Sequence, residues 1–278
     1  MKMFAMMRFT LFEAFRRGTL VFYFLVGTII IAAFAIWLKK SPEDPSAIML
    51  FGKSIPGNLN GMSSADFILL MLFRQSTFWI IVLGTFGAAA LMTSFLDKGI
   101  VELYLSKPLE RWELFVSRAF GASAGVVANL MYCIVGLWFV FGLKLGIWHT
   151  EFLAAGLLVS YAFVCYFSIV SFVAIWTRNA TMAIIIGLFF SFISIGLEAR
   201  EKGLYKLWDN NIYHRALDAF YYITPQLDGM LSNSVRLIGQ PPFSQDQVAF
   251  TPAPFLYSLG AAVLFYWLSI YYFTSRDF

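Results

Sequence analysis

A short charged segment between two long apolar stretches is the part of this sequence best suited to contact another protein. Residues 97–118 read DKGIVELYLSKPLERWELFVSR and combine both signs of charge with an apolar face. Asp97 is suited to cap a helix, and Pro108 fits the first turn of a following helix. The pattern predicts a rigid helix–turn–helix element at a membrane face, although a connector without a partner is the alternative. The candidate contact residues are Glu102, Tyr104, Ser106, Lys107, Pro108, Arg111 and Glu113.

Groups that would catalyse a reaction or hold a metal are missing from the sequence. It contains no Walker phosphate loop and no paired-histidine motif. The two histidines, His149 and His214, and the two cysteines, Cys133 and Cys165, lack the spacing of a metal site. We therefore expect no catalytic residue, no metal and no cofactor bound by this chain itself.

The composition is that of a membrane protein. Hydrophobic residues make up 60% of the 278 residues and charged residues only 13%, against about 25% charged in soluble domains. The formal charge of +4 is small, and most basic residues lie at the ends of apolar stretches, which argues against nucleic-acid binding.

Six apolar stretches are long enough, or nearly so, to cross a bilayer as helices. They lie at 19–38, 77–96, 119–143, 152–177, 181–197 and 255–273. The sequence predicts an all-α polytopic protein with one transmembrane domain over 1–278. The first stretch is preceded by charged residues and followed by no small-x-small cleavage site, so we expect it to remain as the first span.

The distribution of basic residues decides the predicted orientation. Ten lie in the segments on the side of the N-terminus and ten on the other side, but the latter segments are about twice as long in total. Because short loops carry the positive-inside signal, we expect both termini and segment 97–118 to be cytoplasmic, in a bacterial inner membrane. Lys39 and Lys40 oppose this assignment unless they snorkel at the outer interface.

The residues before the first span have an amphipathic pattern. Phenylalanines and Leu11 alternate with Glu13, Arg16 and Arg17. We expect a helix lying in the membrane interface, with a frayed start of the first span as the alternative.

Two outer segments are long. In 39–76, prolines and glycine predict loop at the start, and from Ala65 the apolar pattern extends the second span outward. In 198–254, Leu204–Trp208 and Ala216–Tyr222 predict short amphipathic helices, Thr224–Pro225 a break, and Gln226–Ile238 a further helix. We expect 198–254 to lie at the outer leaflet, against lipid, and to receive a periplasmic partner or control exit; a simple loop is the alternative.

The predicted span cores contain no Asp, Glu, Lys, Arg or His, whereas ion-coupled carriers usually have such groups at membrane depth. Any energy for transport must therefore come from a partner. The candidate translocation-path residues are Ser123, Asn129, Ser168 and Ser171. Hydrogen bonding back to their own helices is the alternative. Small residues at Gly84–Ala90, Gly121 and Gly125 indicate close helix approach, within the chain or between two copies.

The charged segment carries a family resemblance. The run Gly99-x-x-Glu102-Leu103-x-Leu105-Ser106-Lys107-Pro108-Leu109-x-Arg111 resembles the cytoplasmic loop after the second span in permeases of type-2 ATP-binding-cassette (ABC) exporters. More narrowly, it resembles the small six-span permeases that include the one serving nitrous oxide reductase maturation. Both chain ends also resemble this group, through Thr10-Leu11-Phe12-Glu13-x-x-Arg16-Arg17 and Phe273-x-x-Arg276-Asp277-Phe278.

The resemblance implies a half-transporter. Two permease chains, identical or paralogous, would sit on two cytoplasmic ATPase subunits that bind ATP and Mg²⁺. Segment 97–118 would be the coupling helix, and short outer helices would precede the last span.

Two other classes of function remain open from the residues. A lipid-modifying membrane enzyme would draw on Asp209, His214, Arg215 and Asp218. A structural subunit of a larger complex is the third reading. The substrate class is open among lipids, peptides, drugs and a sulfur- or metal-related cargo.

Overall fold

Long apolar helices make up most of the chain. The computed structural model describes residues 2–40, 47–56, 58–59, 62–94, 96, 110–201, 203–208, 210–239 and 250–275. The helices of this part are α1 (Lys2–Arg16), α2 (Thr19–Trp37), α3 (Ser64–Ser94), α4 (Arg111–Leu145), α5 (Thr150–Thr177), α6 (Ala180–Glu198), α7 (Asn211–Ile223), α8 (Leu227–Ile238) and α9 (Ala253–Ser275), with a 3₁₀ turn at Leu204–Lys206. The predicted all-α architecture is confirmed.

Five of these helices, α2, α4, α5, α6 and α9, are long and apolar enough to cross a membrane. The remaining predicted span, 77–96, lies in α3, where the continuous apolar part is Ile81–Ser94. As the apolar pattern from Ala65 predicted, α3 begins well before the span, at Ser64. Its first half carries Asp66 and Arg74, so the outer part of α3 is more polar than a lipid-embedded helix.

A small β-sheet follows α2, where the sequence predicted loop. Strands β1 (Lys39–Lys40), β2 (Ile48–Leu50) and β3 (Lys53–Ile55) pair antiparallel, and β4 (Asn58–Leu59) pairs with β5 (Met62–Ser63). The turn between β2 and β3 consists of Phe51 and Gly52, both with positive φ (51° and 79°). Such a two-residue turn suits the twist of a hairpin, but Phe-Gly lacks the usual Asn-Gly or Asp-Gly signal.

Helix α5 is the most buried of the candidate spans and α2 the least. Helices α3, α4, α6, α8 and α9 all pack against α5. Glycines allow close approach at two neighbouring interfaces: a Cβ at Gly121 would lie 2.7 Å from the Thr10 side chain, and one at Gly84 would lie 2.5 Å from the Val126 side chain. These small residues therefore serve packing within the chain.

The outer segment contains the predicted helices, α7 and α8, separated at Thr224–Pro225. Helix α8 is buried over much of its length and packs on α5 and α6. The backbone N–H groups of Gln226 and Asp228 donate to the Ser258 and Ser194 hydroxyls at 2.9 and 3.0 Å. Helix α8 is therefore part of the core of the fold.

Side-chain contacts identify the two faces of the protein. Arg111 Nη1 donates to the Thr274 carbonyl at 3.3 Å, so the start of α4 and the end of α9 share one face. At the opposite ends of the spans, His149 Nε2 lies 2.8 Å from Asp66 Oδ1. We call these the Arg111 face and the His149 face.

Candidate functional site

A buried ion pair joins three helices beside the charged segment. Arg118, on α4, is only 1% exposed, and its Nη1 pairs with a carboxylate oxygen of Glu13 on α1. Its Nη2 donates to the Ser94 hydroxyl of α3 at 3.3 Å, and that hydroxyl donates to Glu13 Oε1 at 3.0 Å. Arg17 Nη2 lies 2.9 Å from the same carboxylate oxygen. We call Glu13, Ser94 and Arg118 the α1 joint.

The electrostatics of the joint favour an ionised Glu13. Burial raises the pKa of the Glu13 carboxyl, but hydrogen bonds from Arg118 and Ser94 and the charges of Arg118 and Arg17 outweigh it, and the net pKa is lowered. A buried cation needs such a charged, hydrogen-bonded partner to offset its desolvation. The joint is therefore an organised ionic contact.

Two members of the joint, Ser94 and Arg118, flank segment 97–109 along the chain. Ser94 is the last residue of α3, and Arg118 lies in the third turn of α4. The two helices that enter and leave this segment are thus tied to each other and to α1.

Helix α1 has one side packed on the protein and one side left exposed, and the exposed side carries Arg16 as well as phenylalanines. Gly18 adopts a left-handed conformation (φ 74°) and separates α1 from α2. Phe4, Phe12 and Phe15 are exposed, whereas the opposite side carries buried Ala14 and the contacts of Glu13. Exposed phenylalanines on one side suit a helix lying in the membrane interface.

The start of α4 is stabilised by local contacts. The backbone N–H of Glu110 donates to Glu113 Oε2 at 3.2 Å, which forms one half of a capping box. The Trp112 indole donates to the Glu110 carboxylate. Arg111 and Glu113, both predicted to contact a partner, thus also have contacts within the chain.

The other predicted partner contacts, Glu102, Tyr104, Ser106, Lys107 and Pro108, lie outside the described residues. Of the predicted N-terminal charges, Glu13 and Arg17 meet near the joint, and Arg16 is exposed.

The four residues proposed for a translocation path do not come together. The hydroxyls of Ser123, Ser168 and Ser171 donate to carbonyls of their own helices at 3.1, 2.6 and 2.8 Å. These distances match the alternative of back-bonding within the helix. Asn129 differs because it lines a cavity between α2, α3 and α4.

A second ionic cluster lies on the His149 face. Arg200 Nε donates to Asp218 Oδ1 at 2.9 Å, and the Tyr205 hydroxyl donates to the same oxygen at 2.6 Å. The guanidinium lies 3.7 Å from the centroid of the Tyr221 ring, and the Tyr221 hydroxyl donates to Glu198 Oε2 at 2.9 Å. The cluster joins the end of α6 to α7.

Hydrogen bonds from Tyr205 and Arg200 lower the pKa of Asp218. Asp228, at the start of α8, is affected in the opposite direction, since burial and the nearby Glu198 carboxylate raise its pKa. Asp218 and Asp228 therefore have opposite preferences for charge.

The groups that a lipid-modifying enzyme would use contact different partners within the chain. His214 Nε2 lies 3.3 and 3.2 Å from the carbonyl oxygens of Tyr205 and Trp208. Asp218 binds Arg200 and Tyr205 instead, and Asp209 is not among the described residues. Within the part of the chain that the structure describes, no group of acidic, histidine and cysteine side chains could hold a metal.

In the sequence, Arg118 is one of the basic residues near span ends that predict orientation, and nothing marks it as a site residue. Its partner Glu13 is 105 positions away, and hydropathy gives no signal for such a pair. The one available hint was a glutamate and an arginine each beside the end of a predicted span.

The fold is that of a polytopic helical membrane protein, and the site is an ionic joint beside its charged segment. Together they define the class of membrane-embedded transport components. The chain belongs to the ABC-2 family of transporter proteins, whose family model matches residues 12–278. No curated protein matches the chain. It is therefore a membrane permease of the ABC transporter type.

Proposed function

We propose that this chain is the permease subunit of an ABC exporter and is driven by a separate cytoplasmic ATPase through segment 97–118. In this proposal two permease chains pair on two ATPase copies, with ATP and Mg²⁺ bound by the ATPase. The chain supplies the path and the ATPase supplies the energy.

The observation that carries the proposal is the α1 joint. A segment that receives force needs firm attachment at both ends, and here Ser94 and Arg118 attach its flanking helices to Glu13. Each contact is buried or half-buried, where charge-assisted hydrogen bonds are stronger than in water.

Orientation is part of the same proposal. The Arg111 face contains the joint, the start of α4 and the end of α9. We assign it to the cytoplasm because the short basic loops belong to it. The His149 face, with α7 and α8, is then extracytoplasmic and available to a periplasmic partner.

Co-purification tests the proposal. The chain is expressed together with an ABC ATPase from the same genome and purified through a tag on the permease. We expect the two proteins to co-purify in equal numbers and to hydrolyse ATP. Glu102→Ala and Lys107→Ala should each lower the recovered ATPase by about tenfold or more, as expected for loss of hot-spot contacts.

The control is Lys144→Ala, a substitution of the same type on the His149 side of α4. It should leave ATPase recovery unchanged. Recovery of the permease without any ATPase, or equal recovery with all three variants, would contradict the proposal.

A further inference from the structure

A cavity of about 350 Å³ lies between α2, α3 and α4. Each helix lines it with residues about one or two turns apart: Val26 and Ile30 on α2, Trp79 and Leu83 on α3, and Val126 and Asn129 on α4. Trp79 is 54% exposed, so the cavity opens laterally at the surface of the spans. Its volume is within the range of small-molecule sites, about 300–1,000 Å³.

The packing of the helices explains the cavity. Helices α2 and α3 each pack against α4 but have little contact with each other. Where they do meet, the Tyr23 hydroxyl donates to the Leu83 carbonyl, and a Cβ at Gly87 would lie 2.6 Å from that hydroxyl. This contact closes the space between α2 and α3 on the side of the Arg111 face. The space stays open on the side of the His149 face.

Asn129 supplies a buried polar group of the cavity, which Tyr23 and Gln75 also line. Its side chain is buried, with 7% of the residue exposed, and its Oδ1 has no hydrogen-bond partner among the described residues. A buried amide without a partner in apolar surroundings is costly. The arrangement therefore favours a ligand that brings a hydrogen-bonding group to the middle of α4.

We propose that this cavity binds a membrane-soluble amphiphile, with its apolar chain against α2 and α3 and its hydroxyl hydrogen-bonded to the Asn129 amide. A hydroxyl both donates and accepts, so it satisfies the amide in either orientation. Water is a poorer occupant, because a bound water needs two to four polar partners and these walls are mostly apolar.

The thiol of Cys133 also lines the cavity and can report its occupancy. The other cysteine, Cys165, is replaced by alanine so that Cys133 is the only thiol. The purified chain in phosphatidylcholine nanodiscs is treated with N-ethylmaleimide, and the alkylation rate is measured by mass spectrometry. The two probes, 1-decanol and decane, are compared at equal membrane concentration.

We expect 1-decanol to protect Cys133 at a concentration about 2–10-fold lower than decane does. This is the gain in affinity expected from one hydrogen bond. Asn129→Leu should remove that difference. Val26→Phe, which fills the cavity, should abolish protection by both probes. Val21→Phe places the same new ring on the exposed surface of α2 and should behave as the parent does.

Equal protection by decanol and decane in the parent chain, or a difference that persists in Asn129→Leu, would overturn the proposal. The comparison in the parent chain alone is decisive if Asn129→Leu fails to fold. If Cys133 reacts in a monomer but not in a dimer, whichever probe is present, a second copy of the chain occupies the cavity. That result would also overturn the proposal.

Native mass spectrometry distinguishes a resident lipid from a transient cargo. A lipid that co-purifies with the parent chain and is lost in Asn129→Leu identifies a resident lipid. Protection by decanol without a co-purifying lipid identifies a transient ligand. Neither experiment requires an ATPase, so the result is independent of the proposed coupling.

Discussion

At the scale of single residues, the pairing of Arg118 with Glu13 is the most consequential feature of the chain. Arg118 is 1% exposed and Glu13 17% exposed, so the guanidinium depends on the carboxylate for its compensation. Removing one member of a buried pair leaves an uncompensated charge and costs about 3–5 kcal/mol, whereas replacing both with apolar residues is often neutral. The contribution of the joint is therefore testable by combining substitutions.

We expect Glu13→Ala to lower the thermal stability of the detergent-purified chain strongly, because Arg118 then stays buried without its carboxylate. Arg118→Leu together with Glu13→Leu should recover most of the loss. Size-exclusion chromatography after heating measures both. Arg16→Ala, at an exposed position of the same helix, is the control. A double variant no more stable than Glu13→Ala would contradict this account.

The shifted pKa values of Asp228 and Asp218 predict opposite effects of pH on stability. A raised pKa at Asp228 favours the protonated form, so its stabilising contribution is present at low pH and lost as pH rises through the folded-state value. Asp228→Asn should therefore raise the melting temperature at neutral pH and have little effect in acid.

Asp218 provides the matched comparison because its pKa is lowered. Its contribution is present above the unfolded-state value and lost as pH falls through the folded-state value. Asp218→Asn should lower the melting temperature at neutral pH and lose this effect in acid. Melting curves of both variants from pH 3 to 8, a range spanning the ordinary carboxyl values, measure the difference. Shifts of the same sign would refute the assignment.

At the scale of elements, the end of α4 depends on a glycine. Gly146 adopts φ 76°, and its backbone N–H donates to the Gly142 carbonyl at 3.0 Å, which ends the helix. The left-handed conformation disfavours any residue with a Cβ. Gly260, within α9, has an ordinary helical backbone, and nothing lies within 4 Å of the position of a Cβ.

Replacement of glycine by alanine should therefore have opposite effects on stability at the two positions. We expect Gly146→Ala to destabilise the chain by about 1 kcal/mol and Gly260→Ala to stabilise it by about 0.5–1 kcal/mol. Thermal unfolding in one detergent measures both. Stabilisation by Gly146→Ala would contradict the assigned helix end.

Hydropathy predicted these elements well where one signal dominates. Apolar runs of about 20 residues located the spans, and Thr224–Pro225 correctly separated α7 from α8. Hydropathy did not predict two features. The hairpin turn at Phe51–Gly52 lacks the usual residues, and the burial of α8 depends on α5 and α6, which no local pattern encodes. Of the candidate site, Glu13 was singled out from the sequence but Ser94 and Arg118 were not, because the contacts among the three residues form only in the folded chain.

At the scale of the whole molecule, the two faces differ in construction. The ionic joint of the Arg111 face ties three helices to each other, whereas the ionic cluster of the His149 face joins the end of α6 to α7. In the proposed orientation the Arg111 face is cytoplasmic, because the short basic loops belong to it.

Cysteine labelling tests the orientation of the whole molecule. In a Cys133→Ala, Cys165→Ala background, one variant carries Leu207→Cys, at an outer position that is 75% exposed, and the other Arg16→Cys, at an exposed position of α1. An impermeant maleimide added to intact cells should label the first and spare the second, because the bilayer separates the reagent from the cytoplasmic face. Permeabilised cells, in which both should react, provide the control. Labelling of Arg16→Cys alone in intact cells would invert the topology and move segment 97–118 away from any cytoplasmic ATPase.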